Sequence, residues 1–202
     1  MYFNIFPIAA AITSAGLCLT EVGRVLYLGE DTFGILGIID ASECPPTFNA
    51  CPDDVRAFLA DGYSTLANAQ GDLAMHGEQY QLSWDDYERD HQPSLGDLDT
   101  VVVIDGAACD GKRRDRVLSL LANAVQAEAR VVHLVVDRDG SCTLQPPQVP
   151  LSSSIITVPV CLSSTSLQVP GVDFSNIFLA ELVVKLVLNA ITTGAHIRKG
   201  KV

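Results

Sequence analysis

Thr100-Val101-Val102-Val103-Ile104-Asp105-Gly106 and Arg130-Val131-Val132-His133-Leu134-Val135-Val136-Asp137 decide the fold. Both runs are continuously apolar rather than alternating, as strands buried on both faces require. Between them, Val117, Leu121, Ala124 and Val125 recur at helical spacing within Arg113 to Glu128. Working outward, Arg24 to Gly29, Val55 to Leu59 and Ile155 to Val160 read as three further strands. Thr32 to Ala41 reads as a helix. Strands alternating with helices imply a parallel sheet covered on both faces. The expected fold is therefore a three-layer α/β/α sandwich with a mainly parallel five-stranded sheet.

The chain of 202 residues has room for one such domain and little more. Its formal net charge of −11 repels phosphate backbones and argues against nucleic-acid binding. Six cysteines, none in C-x-x-C spacing, and four histidines make a structural zinc site improbable, and no metal or cofactor is expected. The cysteines read as free thiols of a reducing compartment, so the expected location is cytoplasmic. Ile5 to Leu19 is apolar, yet no Lys or Arg precedes Arg24, so it reads as a buried or amphipathic helix rather than a signal peptide. Ile177 to Ile191 is short for a bilayer span and carries Glu181 and Lys185, so no membrane segment is expected. Within the helix Asn176 to His196, Glu181, Lys185, Asn189 and Thr192 form one narrow polar stripe. That stripe reads as the wet face, with the rest covered by the sheet or a partner domain. Gly71 to Pro93 reads as a polar excursion and Gln145 to Ser154 as a loop.

Three segments bear on chemistry. Gly29-Glu30-Asp31-Thr32-Phe33-Gly34-Ile35 has the shape of a strand–loop–helix anion site. Its two acids oppose a phosphate, each by a kcal/mol or more at about 4 Å, and Asp31 reads instead as the helix N-cap. In Asp40-Ala41-Ser42-Glu43-Cys44-Pro45-Pro46-Thr47-Phe48 the double proline should end the helix, leaving Glu43 at a C-terminus where the dipole disfavours its charge. An acid so placed suits general acid work; the plainer reading is an exposed Glu. Cys44 reads as a packed thiol. His196, Arg198, Lys199 and Lys201 either cap the last helix or contact an anion. Asp137-Arg138-Asp139-Gly140 lacks the remaining positions of a calcium loop, and Trp84-Asp85-Asp86 reads as a helix start.

Gly23 to Gly29, Leu36 to Phe48 and Lys185 to His196 with Gly200-Lys201-Val202 resemble the sugar isomerase (SIS) domain of N-acetylmuramic acid 6-phosphate etherases. The same blocks occur in the glucokinase regulatory protein family, and Thr193-Gly194-Ala195-His196, Val55 to Leu59 and Asp99 to Val102 resemble its second SIS domain more closely. The resemblance implies a single SIS domain over residues 1–202, a fragment or the second half of a tandem protein. Its phosphate loop departs from the family pattern: Asp31, Phe33 and Ile35 stand where Gly, Ser and Arg are expected. The serine-rich loop after the third strand is replaced by Asp105-Gly106-Ala107-Ala108-Cys109-Asp110, and no second catalytic Glu is found around Gly71 to Ala74. The resemblance therefore implies a non-catalytic module for sugar phosphates, fructose phosphate-like or amino-sugar phosphate, in a pocket shared with a second SIS domain in cis or as a dimer. Glu43 and Lys201 match the family residues that face the sugar and reach its phosphate. A hexokinase or glucokinase is an implied partner, and a regulator-like chain could also be nuclear. The alternative is an enzyme, an etherase releasing D-lactate with Glu43 as acid.

Overall fold

The computed structural model describes residues 5–66, 77–106, 111–137, 154–161, 168–169, 172–173 and 176–201. Gly71 to Ala74, the 107–110 loop, Arg138 to Gly140, most of the 145–154 loop, Cys109, Cys142 and Val202, all read above from the sequence, lie outside these residues.

The five expected strands form one sheet: β1 (Val25–Gly29), β2 (Val55–Leu59), β3 (Thr100–Asp105), β4 (Arg130–Asp137) and β5 (Ile155–Cys161). Their order is β2-β1-β3-β4-β5 and every pairing is parallel. In β3 the side chains alternate between two cores. Val102 and Ile104 join the core formed with helices α1 (Ile5–Thr20), α2 (Asp31–Phe48) and α6 (Asn176–Arg198). Val101 and Val103 join the core with α5 (Gly111–Gln126) and with Trp84 and Tyr87. The three-layer α/β/α sandwich is thus as the apolar runs require. Two short turns, α3 (Tyr63–Leu66) and α4 (Trp84–Asp86), interrupt the β2–β3 excursion. Helix α4 starts at Trp84, with Ser83 and Asp86 forming a capping box. A short antiparallel pair, β6 (Gln168–Val169) and β7 (Val172–Asp173), was not anticipated.

Three local expectations are corrected. Helix α2 does not stop at the double proline but runs through Pro45 and Pro46 to Phe48. The prolines withdraw donors from the carbonyls of Ala41 and Ser42. Ser42 and Pro46 are exposed, so water can serve there, and Phe48 is held by a ring stack on His196. Glu43 is consequently inside the helix rather than at its end. Second, Glu30, not Asp31, occupies the N-cap position of α2. Third, the polar stripe of α6 is wet at Asn189 but not along its whole length. Thr192 is 3% exposed and Lys185 turns toward α2, whereas Leu182 and Leu186 are 46% and 56% exposed. The run Ile177 to Ile191 is the middle of this longer helix. By length and composition α6 could cross a bilayer, yet here it packs on α1, α2, β4 and β5.

Close approach of β1 and α2 sets the site's geometry. A methyl at Gly34 would stand 2.7 Å from the Gly29 carbonyl oxygen, and one at Gly29 would stand 2.6 Å from Gly34 Cα. The obstacle in both cases is backbone, which cannot swing aside. Gly34→Ala is therefore expected to cost about 1–3 kcal/mol by overpacking. A lower urea midpoint at an unchanged m-value checks this.

Candidate functional site

The strand order reverses between β1 and β3, so their C-terminal ends open the crevice where sheets of this kind bind ligands. The chain fills that crevice with its own charges. Glu30, 4% exposed, caps β1. Arg113, in the first turn of α5, reaches across to Asp31 Oδ1 at 3.1 Å, Asp61 Oδ2 at 2.8 Å and Glu30 Oε2 at 3.7 Å. A cation at a helix N-terminus opposes the dipole, and these three carboxylates are what hold it there. Beside them, buried Asp105 and His133 meet at 3.0 Å. Among the described residues, three carboxylates around one guanidinium form a net negative set, and each acid opposes a phosphate. Arg113 was missed at the sequence level. Its signal was the placement of a basic residue where a helix N-terminus follows an acidic loop.

The second constellation lies along the seam of α2 and α6. Lys185 Nζ donates to Asp40 Oδ1 at 3.1 Å and to Glu43 Oε2 at 2.7 Å. Tyr27 donates its hydroxyl to Asp40 Oδ2 at 3.3 Å. Asp40 is 1% exposed, and burial raises its carboxyl pKa against the pull of Lys185. For Lys185, burial opposes the charge but the two carboxylates outweigh it, so its pKa rises. Burial pushes the Cys44 thiol up to about 12, which makes it inert packing as expected. Cys18, Cys44 and Cys51 are free thiols.

At the end of the seam, His196 stacks on Phe48 with ring centroids 4.4 Å apart and planes 8° apart. Its Nδ1 donates to the Thr192 carbonyl at 2.8 Å. Gly200, at φ 78, turns the chain back so that the Lys201 amide donates to the His196 carbonyl. Lys201 Nζ then donates to the Asn49 carbonyl at 3.1 Å, just past the end of α2, and Lys199 pairs with Asp54 at 2.7 Å. Lys201 and Lys199 therefore contact the end of α2 and its following loop rather than capping their own helix. The structure places both sequence-level site residues along the seam of α2 and α6: Glu43, on α2, pairs with Lys185 of α6, and Lys201, just past α6, contacts Asn49 at the end of α2. Neither reaches the crevice charges. Asp40 was quoted in the sequence motif but given no role there; only its burial reveals one. A groove of about 530 Å³ lies apart from both constellations, between α2 and the edge strand β2, lined by Ile38, Pro45, Val55, Ala57 and Leu82. Among the described residues, no group of three or more His, Cys, Asp or Glu is arranged to hold a metal ion.

A parallel five-stranded sheet in this order, with a switch-point crevice and a long apolar last helix, is the architecture of SIS sugar-isomerase domains. A phosphoheptose isomerase from Francisella tularensis superposes with a TM-score of 0.53 at 16% identity, over 94% of this chain and 84% of that one. The family described as "Glucokinase regulatory protein, second SIS domain" matches residues 4–199, and the chain belongs to it. It is 30% identical over 199 residues to the glucokinase regulatory protein of Xenopus laevis, covering 96% of this chain and 30% of that one. It is 32% identical over 195 residues to N-acetylmuramic acid 6-phosphate etherase 1 of Vibrio cholerae, covering 96% of this chain and 57% of that one. The chain thus spans under a third of the regulators and just over half of the etherases that it matches.

Lys185→Met strands the buried Asp40 carboxylate and is expected to cost about 2–4 kcal/mol at pH 7. The Asp40 carboxyl, already raised by burial, rises further without the ammonium. A folded pKa above the unfolded one means that stability is regained as pH falls through it, so the deficit should shrink from pH 7 to pH 5. Adding Asp40→Asn should recover most of the loss. Urea melts at both pH values check this; an equal deficit at both removes Asp40 as its cause.

Proposed function

We propose that this SIS domain binds a phosphorylated sugar derivative without turning it over, in a pocket completed by a second SIS domain. The observation that carries the reading is the crevice itself. Where the family pattern places a phosphate loop, Glu30, Asp31 and Asp61 close on Arg113, so the described residues of the crevice present more carboxylates than cations to an anion. Losing a preorganised anion site removes several kcal/mol of transition-state stabilisation, which argues against turnover. What remains to offer is on α2 and α6. Glu43 keeps 54% of its side chain exposed and can accept from sugar hydroxyls. The Lys201 ammonium has one carbonyl contact among the described residues, which leaves protons to donate to a phosphate or sugar oxygen. The relatives' name adds glucokinase, and a kinase of that class is the partner in this reading. The location we infer is cytoplasmic, where the free thiols stay reduced.

Calorimetric titration of fructose 6-phosphate and fructose 1-phosphate, with a partner SIS domain present, tests the assignment. Lys201→Ala is expected to weaken binding roughly ten- to a hundredfold, the cost of a lost charged hydrogen bond. Unchanged affinity returns Lys201 to capping α2, and tight binding by the 202-residue chain alone contradicts the closed crevice.

The likeness to the etherases supports a second reading, cleavage of the D-lactyl ether of N-acetylmuramic acid 6-phosphate with Glu43 as acid. No D-lactate release is expected from the chain. Release that Glu43→Gln abolishes would establish the enzyme instead.

A further inference from the structure

The turn that leads into β3 carries an exposed hydroxyl at the end of the sheet remote from the crevice. Ser94 Oγ donates to the His91 carbonyl at 3.1 Å. The same oxygen accepts from Arg24 Nη1 at 3.3 Å, and Arg24 Nη2 donates to the Ser94 carbonyl at 3.1 Å. Arg24 is aimed there by Asp99: Nε donates to Oδ1 at 3.2 Å and Nη2 to Oδ2 at 2.8 Å. Asp99 does not depend on that side chain alone. It also accepts from the Arg24 amide at 2.8 Å and from the Gly96 amide at 3.3 Å. A guanidinium held on one edge by a carboxylate thus offers its other edge to an exposed serine.

We propose that Ser94 is a phosphorylation site for a protein kinase that selects acidic side chains on the C-terminal side of its serine. Asp97, which is exposed, stands three residues after Ser94, and Asp99 five. Among the described serines only Ser83 also has an acid three residues on, Asp86. The Ser83 hydroxyl is committed to its capping box, donating to Asp86 Oδ2 at 2.6 Å and accepting from the Asp86 amide at 3.0 Å. In the transfer, Ser94 Oγ attacks the γ-phosphorus of ATP and the bond from that phosphorus to its bridging oxygen breaks. The hydroxyl proton passes to the kinase's base, and ADP departs. The oxygens of the new group extend past Oγ into the reach of Arg24 Nη1, which becomes a charge-assisted donor to them. At neutral pH the phosphate adds a charge of about −1.5 to −2 to a chain of net charge −11. The modification therefore deepens the negative field at the N-terminal end of the sheet and repels acidic surfaces from it. Glu30 and Arg113 lie at the other end, so the site stands apart from the sugar-phosphate reading and is tested without a sugar.

The folded 202-residue chain is incubated with magnesium ATP and a purified acidophilic serine kinase of the casein kinase class. Peptide mass spectrometry is expected to find phosphate at Ser94 and none at Ser83. Ser94→Ala should abolish that incorporation. Asp97→Asn, a change at an exposed side chain, should slow it about tenfold, the usual cost of one lost charged contact. Phosphorus NMR of the unsubstituted product reads the Arg24 contact. A phosphoserine ordinarily takes up its second proton at a pKa of about 6. Beside the guanidinium the folded product should titrate lower, and unfolding in urea should restore the ordinary value. Ser94 left unmodified in the folded chain, incorporation indifferent to Asp97→Asn, or the same titration in folded and unfolded product each overturns the proposal.

Discussion

Five parallel strands with apolar side chains on both faces leave no side of the sheet for water, and the rest of the molecule answers to that demand. Helices α1, α2 and α6 close one face and α5 the other, together with Trp84 and Tyr87. Because all five strands run the same way, their C-terminal loops collect at one edge. Because β1 lies between β2 and β3, two of those loops diverge and open a crevice. The Gly29–Gly34 contact presses α2 onto β1 and brings Glu30 over the sheet's end.

That crevice is where an open α/β sheet usually holds its ligand, and here it holds charge of the chain's own. Arg113 sits at a helix N-terminus against the dipole, an arrangement that only nearby carboxylates make tolerable. Glu30, Asp31 and Asp61 supply them, and their sum exceeds the single guanidinium. The SIS fold is therefore kept while, among the described residues, three carboxylates gather round one guanidinium at its crevice. This is the physical ground for reading the domain as a binding partner rather than an independent catalyst.

One buried carboxylate sets the rotation of the last helix. Asp40 lies in the layer between sheet and helices, where an unpaired charge would cost several kcal/mol. Lys185 answers it, with Glu43 as the outer partner, and α6 turns Lys185 and Thr192 to the seam. Leu182 and Leu186, three residues before and one after Lys185 and so beside it on the helix surface, are then exposed. A local need for charge pairing thereby becomes a surface property.

The sequence by itself determined the layers. Buried strands such as Val101 to Ile104 and Val131 to Val136 must be continuously apolar, and that pattern is visible without coordinates. It also showed the acids at Glu30 and Asp31 that oppose a phosphate, because charge is a property of residues rather than of their arrangement. The end of α2 was illegible, because whether Pro45 and Pro46 stop a helix depends on whether water or a neighbour serves the carbonyls they abandon. The site was only half legible. Glu43 and Lys201 stood out by residue type and resemblance, yet their contacts with Lys185 and Asn49 join residues 142 and 152 positions apart. The same holds for Arg113, 82 positions from Asp31 and 52 from Asp61. Periodicity tells which face of α6 is polar but not which way that face points. Only the tertiary packing, by burying Asp40 opposite Lys185, decided it, because an uncompensated charge beneath a helix costs more than leucines left in water.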